Sequence, residues 1–348
     1  MSKKGGKPKT KAKAAAADEH VVTRQIVLAN YGKLCKSIGV PVNTHVNDVL
    51  RGPAEEEQEI VNFILEGEIG ALGPGSVRAI AMAFLISFFP TVPMRITSGP
   101  YLHLRYIRIW NEDVGNEGAA AIGMLLQSTA PSINIAYLEL LDCEIGEAGC
   151  KAISEIVSTQ KTPGLLTLNL DYNSDIGDHG VTALCDGLFS NTILKKLHLD
   201  YCGIGPRGAV KLAQLLSMPQ SALDTLSLNG NALGDEGLYH LSLGLARSQH
   251  LTSINLADNG IRHDEEALTA FRDALLRSKV LAHVDFTYNP IDVLGAMLLL
   301  PALTPENTKI QSFQVDSSLP AELFAQLNRA PKGDGKKKGK KKGGKKKK

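Results

Sequence analysis

The stretch Leu223 to Leu245, LDTLSLNGNALGDEGLYHLSLGL, constrains the rest of the chain. Leucines stand at its start, at three places on (Leu226) and at five (Leu228). Asn231 follows at eight, Leu233 at ten, Gly234 at eleven and Gly237 at fourteen, and Leu241 and Leu245 continue at helical spacing. The first half alternates as a short strand does and the second recurs as a helix does. The phrase starts again at Ile60, Leu104, Ile135, Leu165, Leu194, Leu251, Leu281 and Ile310, and from Leu104 onward the steps are 28 to 31 residues. One strand and one helix cannot bury their apolar faces alone, so such units must stack.

Each repeated position has a physical task. The leucines at zero, three and five point into a shared core. An asparagine at eight offers donor and acceptor where the strand turns away. That site holds Asn173, Asn231, Asn259 and Asn289, with Cys143 and Cys202 standing in as small, buried, weak donors. Glycines at eleven and fourteen (Gly115 and Gly118, Gly146 and Gly149, Gly205 and Gly208) admit the turn into the helix; Ser174 and Asp175 push this turn to Gly177 and Gly180. The Leu251 repeat has Arg262 and Glu265 there instead, so its turn must differ. A period in this range with this pattern is the signature of a leucine-rich repeat. With its Asn/Cys site, IGxxG turn and full helix, residues 60 to 329 resemble the ribonuclease-inhibitor class. That resemblance implies an α/β solenoid, a horseshoe with parallel strands on the concave face and helices on the convex one, and a protein-binding role.

Charge divides the chain. Residues 1–20 carry +4 and residues 332–348 carry +10, so a net charge of +2 leaves a body of −12 between basic tails. Five cysteines lie in apolar positions without a CxxC pair, and no apolar run follows the lysine-rich start. Reduced thiols and a cytoplasmic location are the expectation. The most apolar stretch, Ala79 to Phe89, is far too short to span a bilayer.

Four segments follow from this reading: a disordered basic tail at 1–17, a helical cap at 18–59, repeats at 60–330 and a disordered lysine-rich tail at 331–348. A helical pattern begins at about Asp18, turns at Gly39–Pro41 and resumes in a short helix capped by Asn43 or Thr44. The acidic run Glu55 to Glu59 reads as a solvated helix start, and Ile60, Phe63 and Leu65 as a degenerate first strand. The order Tyr31, Cys35, Ile38-Gly39-Val40-Pro41-Val42, then Leu72-Gly73-Pro74 and Ala79-Ile80-Ala81, is similar to the entry of a eukaryotic leucine-rich-repeat family with ciliary, flagellar and testis members. Ser76 stands where that family has glycine, and residues 87–103 insert a proline-rich stretch.

Motifs of catalysis are missing from the sequence: there is no G-x-x-x-x-G-K-[ST], HExxH, G-x-S-x-G or CxxC. His198 falls on an outward strand face and His263 in a turn, positions of ordinary solvated histidines. No enzyme, cofactor or metal site is expected, nor a small-molecule substrate. Side chains two and four places into each strand should face the concave side, with six and seven at its rim. These rows hold Tyr106, Arg108, Trp110, Tyr137, Glu139, Asp171, Tyr172, His198, Asp200, Tyr201, Asp285 and Tyr288. Aromatic residues among acids are usual anchors of a protein-binding face. The expected function is a non-enzymatic scaffold with its partner on the concave face; the resemblance to the ciliary and flagellar family implies a cytoskeletal or axonemal one, with its lysine tails on acidic microtubule surfaces. The alternatives are an RNA- or ribosome-associated adaptor held by those tails, and a regulator of a GTPase or other enzyme.

Overall fold

The computed structural model describes residues 23–52, 59–66, 72–85, 101–127, 134–159 and 164–330. Both tails, the start of the cap and most of the acidic run and of the 87–103 stretch lie outside the described residues. Strands β1 (Asn62–Leu65), β2 (Tyr106–Trp110), β3 (Tyr137–Leu141), β4 (Thr167–Asn169), β5 (Lys196–His198), β6 (Thr225–Ser227), β7 (Ser253–Asn255), β8 (His283–Asp285) and β9 (Ser312–Gln314) form one parallel sheet in chain order. Helices α1 (Arg24–Ile38) and α2 (Thr44–Arg51) precede β1. The strands are then followed in turn by α3 (Pro74–Leu85), α4 (Gly115–Gln127), α5 (Glu147–Val157), α6 (Gly177–Leu188), α7 (Pro206–Leu216), α8 (Gly234–Leu245), α9 (Glu265–Arg277), α10 (Val293–Leu299) and α11 (Ala321–Leu327).

Register is set by the leucines at position three: Leu138 pairs with Leu168, Leu168 with Leu197 and Leu197 with Leu226. A slip of one residue would turn this whole row outward. The leucines at zero, three and five are buried along the solenoid, and they share one core with the inward faces of the helices.

Position eight stitches neighbouring repeats. Asn173 Oδ1 accepts the N–H groups of Cys143 (2.9 Å) and Ile145 (3.0 Å), while its Nδ2 donates to the carbonyls of Leu140 and Leu170 (both 2.8 Å). Asn231 repeats this with Cys202 and Ile204, and Asn289 with Asn259 and Ile261. The intervening repeats join differently. There a left-handed glycine, Gly115, Gly177 or Gly234, donates its N–H to the main-chain carbonyl of Cys143, Cys202 or Asn259. Two kinds of junction thus alternate through the six junctions of seven repeats. They explain the cysteines: at the second kind no backbone donor needs a side-chain acceptor, so a thiol donating to two carbonyls suffices. Asn259 sits at such a place, and its buried Oδ1 has no partner.

Helix starts alternate too. Asn116 Oδ1, from the first turn of α4, accepts Gly146 and Gly149 N–H at 2.9 and 2.8 Å; Asp178 of α6 does the same for Gly205 and Gly208. One repeat therefore caps the next repeat's helix, which frees the local N-cap to be glycine. In the Leu251 repeat, Asp235 reaches Arg262 N–H, and Asp264 caps α9 itself through Ala267 N–H. That is the different turn its lost glycines required.

Both ends are closed. Thr23 is extended and α1 starts at Arg24; the expected helix start near Asp18 lies outside the described residues. Arg24 donates to the Leu50 and Val49 carbonyls and Asn43 caps α2 through Val46 N–H, which fixes α1 against α2. At the other end Arg329 pairs antiparallel with Phe313 on the outer edge of β9. Its guanidinium also takes the carbonyls of Leu303, Thr304, Asn307 and Ile310. An edge covered in this way offers fewer unpaired backbone groups to another strand.

Candidate protein-binding rim

The residues at position seven, just beyond each strand, share an unusual backbone. Asn111, Asp142, Tyr172, Tyr201, Gly230, Asp258 and Tyr288 are all left-handed, with φ between 51° and 69°. The bend is made by the fold in the six repeats from Asn111 to Asp258: the position-seven N–H donates to the position-six carbonyl of the next repeat, as from Tyr172 to Asp200 (2.8 Å) and from Tyr201 to Asn229 (2.8 Å). Glycine, asparagine and aspartate suit this conformation; a bulky side chain there costs about 1 kcal/mol. Three of the seven positions nevertheless hold tyrosine, at 52%, 38% and 71% exposure for Tyr172, Tyr201 and Tyr288. Neither core packing nor backbone preference accounts for these rings.

The rings are arranged. Tyr172 and Tyr201 stack at a centroid distance of 5.1 Å and an interplanar angle of 6°. Tyr201 lies over Gly230, where any Cβ would overlap its ring. The result is an aromatic shelf along the rim, made possible by glycine in the next repeat. On the two preceding strands, Tyr106 and Tyr137 meet edge to face at 6.1 Å, and Trp110 stands exposed at the end of β2. Arg108 is held between Glu66 (2.6 Å) and Glu139 (3.2 Å). Tyr288 and Asp285 sit on the β8 repeat, three strands from β5 and so about 14 Å from the shelf. Thus the sequence-predicted residues form two adjoining clusters on β2–β5 and an outlier on β8, rather than one patch.

Two of the acids expected to face a partner also accept hydrogen bonds within the sheet, Asp171 while buried and Asp200 while partly exposed. Asp171 is 8% exposed, and its Oδ1 accepts the Asp200 N–H at 2.7 Å. Asp200 Oδ1 in turn accepts the Asn229 N–H at 2.8 Å. Position six turns partly under the rim because the left-handed residue after it bends the chain. Burial pushes the Asp171 carboxyl up to about 6, against the pull of its backbone hydrogen bond, and raises Asp200 in the same way. Burial also lowers His198, despite Asp200 nearby. Sequence reasoning missed Glu112, which occupies position eight of the Leu104 repeat and accepts the Leu72 N–H at 3.1 Å. The spacing alone would have found it.

The Asp171 shift carries a testable sign. Its folded value lies above the ordinary 3.8, so the folded state holds this proton more tightly than the unfolded one. The charged group therefore withholds stability at neutral pH, and returns it as pH falls through about 6 towards 4. Asp171→Asn keeps an acceptor for Asp200 N–H without the charge. It should stabilise by about 1–2 kcal/mol above neutral pH, with the gain gone near pH 4. Thermal unfolding of both proteins across that range checks this; a constant difference at all pH values would contradict it.

The Leucine Rich repeat family matches residues 165–185, 190–213, 223–242 and 247–263. Ribonuclease inhibitor of Sus scrofa is 30% identical over 231 residues, covering 56% of this chain and 49% of that protein. NACHT, LRR and PYD domains-containing protein 3 of Bos taurus is 30% identical over 219 residues, covering 62% of this chain and 20% of that one. The chain is a leucine-rich-repeat solenoid similar to the ribonuclease inhibitors. It spans about half the length of the pig inhibitor and a smaller share of the NACHT protein. Among solved structures, the leiomodin-1 actin-binding site 2 aligns with a TM-score of 0.38 at 16% identity over 44% of this chain and 86% of that one. At that score the likeness bears on neither partner nor activity. Among the described residues no helix is long and apolar enough to cross a membrane.

Proposed function

We propose that this protein is a non-enzymatic scaffold that holds a protein partner on the concave rim of β2–β5. Trp110, Tyr172 and Tyr201 are its anchors, with Tyr106, Tyr137, Arg108, Glu139, Asp200 and His198 around them, and Asp285 and Tyr288 form an outlying contact. One observation carries this reading: exposed tyrosines occupy left-handed positions that the backbone would give to glycine or asparagine. Strained, exposed residues concentrate where function retains them, and tyrosine is a common interface anchor. The relatives support it in kind, since one is named for inhibiting ribonuclease. Asp171 belongs to the frame of the rim and supports its neighbours.

The lysine tails supply the second half of the proposal. Their charge suits an extended acidic polymer, and the resemblance of residues 31–81 to a family with ciliary and flagellar members points to microtubules in the cytoplasm or axoneme. Co-sedimentation with microtubules tests this. The full-length chain should pellet, and a full-length variant with the eleven lysines of 332–348 changed to glutamine should pellet several-fold less. Removal of the acidic tubulin tails should have the same effect. Equal pelleting of both chains would refute the microtubule reading, and stronger salt-sensitive retention on RNA would replace it with the RNA adaptor.

A further inference from the structure

The rim has a charge pattern distinct from that of the helices behind it. At positions six and seven, from β2 to β8, it carries the exposed carboxylates of Asp142 and Asp258 and no lysine or arginine, while Asp200 is partly exposed and Asp171 is buried in the sheet. The convex helices mix signs: α9 alone holds Glu265, Glu266 and Asp273 with Arg272 and Arg277. Between Asp142 and Asp258 lies the stacked pair Tyr172 and Tyr201, 52% and 38% exposed. Carboxylates beside exposed aromatic rings make a site for ammonium groups, by ion pairing and by cation–π attraction.

A ligand of that chemistry is part of this chain. Residues 332–348 hold eleven lysines and one acid, and they follow directly on the Arg329 bridge at the edge of β9. From β9 to the shelf at β5 is four strand spacings sideways and about half a strand upward, roughly 25 Å in all. For seventeen residues of a glycine- and lysine-rich sequence the random-coil root-mean-square reach is about 23 Å. A tether whose reach matches the span gives the highest effective concentration, on the order of millimolar.

We infer that the lysine tail 332–348 is an intramolecular ligand of the rim, covering the Tyr172–Tyr201 shelf until a partner or an external acidic surface takes its place. The inference rests on the rim proposed above as the partner site, and it adds a coupling. The tail cannot hold an acidic polymer and its own rim at once, so tethering to the polymer uncovers the shelf. Occupation in cis needs only modest intrinsic affinity. A tail that binds with Kd of about 0.1 mM, at about millimolar effective concentration, fills the rim some ten parts to one.

The test uses full-length protein, confirmed monomeric by light scattering, and a labelled synthetic peptide of the 332–348 sequence. The peptide should bind the lysine-to-glutamine variant about ten times more tightly than it binds the wild-type chain, whose own tail competes. Tyr172→Ala or Tyr201→Ala, placed in the glutamine variant, should weaken the peptide several-fold, and Asp142→Asn should do so with the shelf intact. Zero-length carbodiimide coupling of the wild-type chain should join tail lysines to Asp142 and Asp258 ahead of the acids of α9. Equal peptide affinity for wild-type and glutamine chains would overturn the inference, as would indifference to the tyrosine and aspartate changes. So would coupling found only between differently labelled copies. Partner capture that is lost with Tyr201→Ala while the tail changes have no effect would leave the scaffold standing and remove the tail from its rim.

Discussion

Asn231→Ala should lower the unfolding free energy by about 3–5 kcal/mol, among the largest single-residue effects in this fold. The side chain is 8% exposed, and its Oδ1 is the shared acceptor for the N–H groups of Cys202 and Ile204, both at 3.0 Å. Its Nδ2 donates to the carbonyls of Leu199 and Leu228, both at 2.8 Å. Alanine leaves two buried donors without a partner, at about 1–3 kcal/mol each. Asn259→Cys at the other kind of junction provides the contrast. Asn259 Oδ1 accepts nothing, and the thiols of Cys143 and Cys202 already meet the equivalent carbonyls. That substitution should be neutral or stabilising by about 1 kcal/mol, because it removes an orphaned acceptor. Urea unfolding followed by circular dichroism measures both. Equal losses for Asn231→Ala and Asn259→Cys would refute the alternation of junctions.

Tyr201→Ala and Trp110→Ala should each weaken the partner recovered from cell lysate by at least about 30-fold, or about 2 kcal/mol, with the fold intact. Both side chains are exposed, at 38% and 44%, so little packing is lost. Tyr288→Asn separates strain from binding. Tyr288 is 71% exposed at φ 56°, and asparagine tolerates that conformation better. This change should raise stability by about 0.5–1 kcal/mol while weakening any partner that spans from β5 to β8. Thermal unfolding and titration of the partner on the same proteins provide the two readouts. Unchanged affinity for Trp110→Ala and Tyr201→Ala together would move the binding surface to the convex or lateral faces. The opposite signs of the stability and binding effects would show that the tyrosines are kept for use and not for the fold.

The solenoid could be read from the sequence because its signal is redundant. Leu138, Leu168, Leu197 and Leu226 hold the same offset in four successive repeats, and that offset is the sheet register. The rim was legible as a set of positions and not as a surface. Asp171 at position six reads as an outward acid, but the bend after it turns its carboxylate onto Asp200 N–H. That bend was written in a column rather than in a row: Asn111, Asp142, Gly230 and Asp258 share position seven, and all are residues that favour a left-handed backbone. Read along one repeat, Tyr172 gives no such warning. Glu112 escaped because only asparagine and cysteine were looked for at position eight, though a carboxylate accepts from a backbone donor equally well. The two kinds of junction left a trace in the succession Cys143, Asn173, Cys202, Asn231, and Asn259 interrupts it. Composition could not reveal that Asn259 is joined as the cysteines are, since the cue lies in which backbone groups face it.

That alternation gives the chain a reading frame. From Leu104 to Leu165, then to Leu223 and to Leu281, the steps are 61, 58 and 58 residues, and each step contains one junction of either kind. Loss or gain of a single repeat is then a frameshift. It would set two left-handed glycine turns side by side, and bring an asparagine acceptor to a neighbour that does not present its donors. Loss or gain of a pair keeps every turn facing the turn it was made for. Lengthening or shortening the horseshoe, by duplication in a genome or by cutting in a laboratory, should therefore succeed in twos, and the curvature over which a partner is held comes in increments of the same size.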